Sequence, residues 1–296
     1  MQFLFDTLFR AVDLALIAVA LSSVYSLIRF PNVALVQYAV VGAFTGMAMQ
    51  NQGVPLVLAI AISALLVGVL AQLFNRFLFQ RLLKLDPAIA LIGSLALSMV
   101  LTAIFLLGFG PAAQRFSVPV APATRVLGIR ITEMQMVSGG VTILILVGFA
   151  ILLFRTPLGR DMRAVSNNAV LAAASGVNND RVTAFVVFLS GLLAALGGSM
   201  LALRGSVSID MGTNMLLSVF AAAILGGLGN AFGAVVGAII IAAAETLITN
   251  VNFGFLTGQE FFFLPASYAP AASFALLIAI LLFRPRGIFV SEVTRV

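Results

Sequence analysis

Long apolar runs alternate with short polar links along this chain. A helix needs about twenty mostly apolar residues to cross ~30 Å of hydrocarbon. Runs that meet this fall at 11–28, 33–50, 54–73, 88–108, 136–154, 182–203 and 269–283. One tract, 215–250, exceeds a single crossing and is broken at GGLGN, Gly226 to Asn230, so it divides into two spans. The pattern predicts an all-α, polytopic transmembrane helical bundle of about eight or nine spans, interrupted helices included, formed as a single domain over residues 1–296.

The exception is residues 155–181, RTPLGRDMRAVSNNAVLAAASGVNNDR, a polar insertion between two spans that carries Arg155, Arg160, Arg163 and Arg181. Its local grammar is helical. Thr156 can cap, Pro157 suits a first turn because it has no N–H to lose, and Leu158 to Ser175 reads as one helix stopped by Gly176. Asn178 or Asn179 can cap the span that follows. A short, basic, amphipathic helix is expected, and its simplest role is to rest on anionic lipid headgroups.

Basic links set orientation, because cytoplasmic loops collect Lys and Arg. Arg76, Arg81 and Lys84 lie in the link 74–87, four arginines in the insertion, and Arg284, Arg286 and Arg295 in the tail. With these inside, the link 109–135 and the segments 204–213 and 251–268 fall outside, and parity requires 215–250 to cross twice. Arg115, Arg125 and Arg130 in the outer link oppose the rule, and the side of the N-terminus stays open. Within that outer link, Pro111, Pro119 and Pro122 followed by VLGIRIT predict a small hairpin turned at Gly128.

Composition narrows the function. With 62% hydrophobic and 9% charged residues, a soluble globule is excluded, since it could not solvate its own surface. The net charge of +6 reports topology, and no basic tract points to nucleic acid. The absence of Cys and His removes disulfides, thiolate and imidazole catalysis and the usual zinc or haem ligands, so neither metal nor cofactor is expected. The one lysine, Lys84, stands outside any glycine-rich phosphate loop, and no Ser/His/Asp or paired-acid set exists. The chain therefore does not bind ATP by such a loop, and catalysis is not expected. The N-terminal run lacks a basic region and cleavage site and reads as a retained span.

A few residues stand out against the apolar background. Glu245 lies well inside a span, where a carboxylate costs about 2.5 to 3.5 kcal/mol unless it faces protein or water; it either lines a solute route or pairs structurally. Arg10 and Asp13, three apart at a helix start, are expected to pair with each other. Pro31 and Asn32 interrupt the first hydrophobic region. An ordinary turn between spans explains that break equally well. PNVALVQYAVVG (31–42) also echoes TNMLLSVFAAAI (213–224), with Asn32 matching Asn214. Such a pattern either arises by chance in apolar sequence or reflects the repeated halves with interrupted helices that mark binding sites in transporters. Gly226, Gly227 and Gly229 form the break. Gly226, Gly229, Gly233 and Gly237 recur at three- and four-residue spacing, as close helix packing in lipid demands.

Four stretches together resemble the permease subunits of ABC importers for branched-chain amino acids. They are YSLIRFPNVALVQYAVVGAF (25–44), the insertion through Val182, FLSGLLAALGGSML (188–201) and ILGGLGNAFGAVVGA (224–238) with Glu245 beyond. Where many members read Asn-aromatic-Ala-His-Gly, this chain reads Asn32, Val33, Ala34, Leu35, Val36. The resemblance implies an importer in the bacterial inner (plasma) membrane. It would be built from this permease, a second homologous permease, two ABC ATPase subunits and an external solute-binding protein. Residues 155–181 would then be the cytoplasmic coupling loop, with Thr156, Gly159, Arg160, Arg163, Ala164, Ala172 and Gly176 at the ATPase, and Asn32, Asn214 and Glu245 along the route. Two other readings remain open at this point: an ion-coupled carrier acting alone, and a passive channel for a small neutral solute such as urea.

Overall fold

The computed structural model describes residues 2–118, 124–126, 129–252, 263–265, 268–283 and 287–289. Gly128, Pro119, Pro122 and the tail arginines Arg284, Arg286 and Arg295 therefore lie outside the described residues. In chain order the helices are α1 (Gln2–Ile28), α2 (Ala34–Asn51), α3 (Leu56–Phe74), α4 (Pro87–Phe109), α5 (Glu133–Arg155), α6 (Pro157–Asn167), α7 (Ala169–Ala174), α8 (Asn179–Arg204), α9 (Met211–Gly226), α10 (Ala231–Asn250) and α11 (Ala269–Phe283). A π-helical turn, Asn75–Phe79, carries α3 on to Gln80–Leu82. The antiparallel strands β1 (Thr124–Val126) and β2 (Ile129–Ile131) pair Arg125 with Arg130. They give the hairpin expected in the link before α5.

Every apolar run became a helix, and the 215–250 tract divides at the glycine turn into α9 and α10. Among the described residues six helices are long and apolar enough to cross a membrane, while α9 and α11 are shorter apolar helices. The protein is thus a multi-pass, all-α membrane bundle. Caps fix several ends: Asp86 accepts from Ala88 N at the head of α4, and Thr132 with Gln135 forms a capping box on α5.

Burial separates an inner set from a rim. The most apolar stretch of α1 is 78% buried and that of α8 67%, against 22% in α4 and in α5. α1, α2 and α8 therefore form the axis, and α4 and α5 turn their leucines and isoleucines outward. Within the axis, helices meet through small residues because lipid offers no hydrophobic drive to hold them together. A Cβ on Gly42 would fall on Ala195, one on Gly198 on the Ala39 backbone, and one on Gly197 on Ile17 and Leu16.

Contacts also fix relative sides. Arg204 at the end of α8 bonds to Phe9 O at the start of α1, and Gln114 beyond α4 pairs with Val207. At the other end of α1, Arg29 bonds to Ser166 O of α6, and Ser22 receives a bond from Gly229 N. The start of α1 lies on the side of the hairpin, opposite the polar insertion.

Candidate functional site

The insertion is tied to the bundle from its first residue. Thr156 Oγ1 accepts from Gly159 N at 3.1 Å and donates to Leu152 O at 2.5 Å, so one hydroxyl ends α5 and begins α6. Gly159 is buried where a side chain would collide with the Leu152 and Leu153 carbonyls. Met162 and Val165 of α6, Ala172 of α7, and Val182 and Val186 of α8 form a small apolar cluster against Leu27, Leu152, Leu153 and Val177. The insertion thus has a core of its own, seated on the ends of α1, α5 and α8.

The single helix expected over Leu158–Ser175 is two. Asn168 turns its backbone extended and accepts from Val170 N and Leu171 N at 3.0 and 3.1 Å, capping α7 and ending α6. Asparagine competes with the helix for its own backbone groups, which is the physical reason for the break. Gly176, with φ of 87°, makes the stop that was expected. Of the two candidate caps, Asn178 serves α8, accepting from Arg181 N at 3.0 Å, while Asn179 Nδ2 donates to Ala169 O.

The residues expected at the ATPase divide into two groups. Arg163 folds back: its guanidinium donates to Leu153 O and lies 5.6 Å from the centroid of the Phe154 ring. Ala172 faces the small core, whereas Ala164, Gly176 and Arg160 are exposed, so the small residues do not form one face. The exposed apolar positions are Val170 (79%), Leu171 (64%) and Leu158 (43%). Val170 and Leu171 stand outside the set of residues expected at the ATPase. The signal was present in AVLAAA, an apolar stretch too short to cross a membrane and embedded in a polar loop.

The glycine turn sits beside the insertion. Gly227 (φ 99°) and Gly229 (φ 95°) use the left-handed region that favours glycine. Gly226 and Gly233 approach so closely that a Cβ on either would strike the other's carbonyl, and one on Gly237 would strike that of Ala222. Asn230 caps α10, accepting from Gly233 N at 3.0 Å, and its Nδ2 donates to Phe289 O at 3.1 Å. Ser23, Ser26, Arg163, Ser166 and Asn230 border a cleft of about 200 Å³ between the insertion and this turn.

Toward the hairpin side, one buried and one part-buried ion pair flank α1. Arg10 does not pair with Asp13 as its spacing predicted. Arg10 Nε reaches Glu245 Oε2 at 2.6 Å, while Asp13 Oδ1 lies 2.7 Å from Arg204 Nη1, in ionic contact without hydrogen-bond alignment. Glu245, 2% exposed, also accepts from Ser273 Oγ at 2.5 Å and from Ser218 Oγ, which joins α10 to α1, α9 and α11. Arg204 further donates to Ser138 Oγ at 2.6 Å and to Phe9 O at 3.2 Å, with the Phe9 ring 5.1 Å away.

Asn32, Asn214 and Glu245 share no hydrogen bond. Asn32 is buried before α2 with its Oδ1 unpartnered; Asn214 is exposed inside the first turn of α9. Their helical positions are therefore not equivalent, contrary to the sequence echo. Among the described residues no cluster of acidic groups could hold a metal ion.

Residues 3–283 match the family described as branched-chain amino acid transport system, permease component. A probable branched-chain amino acid transport permease protein of Methanocaldococcus jannaschii is 29% identical, over 93% of this chain and 88% of its own length. A high-affinity branched-chain amino acid transport system permease protein of Pseudomonas aeruginosa is 28% identical, over 93% of this chain and 90% of its own. An autoinducer 2 import system permease protein of Yersinia pseudotuberculosis is 27% identical, over 70% and 61% respectively.

Proposed function

The chain belongs to the family of branched-chain amino acid transport permease components, and from that membership we propose how it works within a larger importer. The protein is a transport subunit, not an enzyme. In the proposed assembly it stands beside a second homologous permease in the bacterial inner membrane. Two cytoplasmic ABC ATPase subunits power it, and an external solute-binding protein delivers a branched-chain or related amino acid. The insertion 155–181 is the coupling element, and its docking face is Arg160 with Val170 and Leu171.

One observation carries this reading. The insertion leaves Val170 and Leu171 uncovered by the chain, 79% and 64% exposed, yet it is braced to three spans by its own core, by Arg163 and by Arg29. Exposed apolar groups on a rigidly mounted element are what a partner can push. A loose surface helix would sink those side chains into lipid and would need no such bracing. The stand-alone ion-coupled carrier rested on the interrupted helices and on Glu245, whose side chain, among the described residues, bonds to Arg10, Ser218 and Ser273.

The test is the double substitution Val170→Asp/Leu171→Asp in the reconstituted complex. Uptake and solute-stimulated ATP hydrolysis are expected to fall at least tenfold, since two desolvated anchors each contribute more than about 1 kcal/mol, while membrane insertion is unchanged. Full activity in that variant would remove the docking face. Uphill uptake into liposomes holding this chain alone, driven by an ion gradient, would replace the whole scheme with the carrier.

A further inference from the structure

A second cleft, of about 700 Å³, opens between the end of α3 and the start of α8 and is bordered by Gln72, Arg76, Gln80, Leu83, Lys84 and Asp180. The first three lie four residues apart on a helix otherwise rich in leucine. Rows at that spacing drift around an α-helix, and the wider π turn at Asn75–Phe79 counters the drift, holding Gln72, Arg76 and Gln80 on one opening. Arg76 and Lys84 form no ion pair among the described residues, and the Gln72 carboxamide oxygen is shielded from solvent with no hydrogen-bond partner. Cations and acceptors thus stand together unspent.

We propose that this cleft binds the headgroup of an anionic phospholipid. Arg76 and Lys84 hold the phosphodiester, while the Gln72 oxygen and the Asp180 carboxylate accept from headgroup hydroxyls, which explains an acid beside two cations. Two further observations favour a lipid over a soluble anion. The cleft lies on the same side of the bundle as the insertion, beside the basic link where headgroups of the inner leaflet collect. From it an exposed apolar strip, Leu73 (46%), Phe77 (60%), Val69 (49%) and Leu66 (50%), runs down α3 for acyl chains to cover. The site is separate from the docking face on α7 and does not depend on the importer assignment.

The purified full-length chain in neutral detergent tests it by its unfolding midpoint. Added phosphatidylglycerol is expected to raise the midpoint of the wild type and of Arg81→Gln, a control that removes an exposed charge outside the cleft. Arg76→Gln/Lys84→Gln should lose that rise while unfolding at the wild-type midpoint in detergent alone. The proposal is overturned if the double variant still responds, if phosphatidylcholine gives the same rise, or if soluble glycerol 3-phosphate reproduces it without acyl chains.

Discussion

Glu245 and Asp13 are both buried acids facing arginines, but their partners differ in access to water. The Arg10 side chain is 31% exposed and Arg204 only 8%. Removing Asp13 leaves a cation with no route to solvent, and the loss expected for Asp13→Asn is about 3 to 5 kcal/mol. At Glu245 the serines matter more. Glu245→Gln keeps an acceptor for Ser218 and Ser273 and frees only a cation that water can reach, so it should unfold at a higher temperature than Glu245→Ala in the same detergent. If the two variants unfold together, the ionic contact rather than the serine bonds holds the four helices. The sequence made Glu245 conspicuous through its cost in an apolar run, but it could not reveal its partner. Arg10 and Asp13 looked like a pair because three residues bring side chains together on a helix. They point instead to α10 and α8, and only packing in three dimensions selects between a near partner and one more than 190 positions away.

At the level of elements, the spans were legible because twenty consecutive apolar residues admit few other structures. The insertion was legible in its ends and not in its middle. Thr156, Pro157 and Gly176 act through strong local preferences, and all three behave as expected. Asn168 gave a weaker sign: it closes the run Ser166, Asn167, Asn168, residue types that favour caps and turns but also occur within helices. The break matters because it lets α7 turn Val170 and Leu171 outward while Ala172 stays in the small core. Asn168→Ala removes the cap and favours one continuous helix. The variant should retain fold and insertion, lose about 0.5–2 kcal/mol with the cap, and lose coupling between ATP hydrolysis and uptake. Arg163→Ala should act differently. It unties α6 from the Leu153 carbonyl and is expected to speed amide exchange in residues 157–167 before it affects anything else. Should Arg163→Ala abolish coupling with amide protection unchanged, its guanidinium works on a partner rather than on the brace.

Across the whole molecule, the direction of α1 decides the topology. Loop charge left it open, because three arginines in the outer link oppose the rule and because counting spans puts the N-terminus outside only if none of the first segments is a half-span. The structure resolves the ambiguity through contacts that cross the bundle. Phe9 and Arg10 meet residues at the hairpin-side ends of α8 and α10, and Arg29 meets the insertion. If the insertion faces the cytoplasm, residue 2 faces outward, and so does Arg115. The chain has no cysteine, so single cysteines report position without a background to remove. On intact cells a membrane-impermeant maleimide is expected to label Gln2→Cys and Arg115→Cys but not Leu171→Cys; inverted vesicles should give the opposite pattern. Labelling of Gln2→Cys together with Leu171→Cys would reverse α1 and contradict the packing of its two ion pairs. Labelling of Leu171→Cys from outside would leave the helices intact but place the docking face where no nucleotide is present, and the coupling role would fall with it.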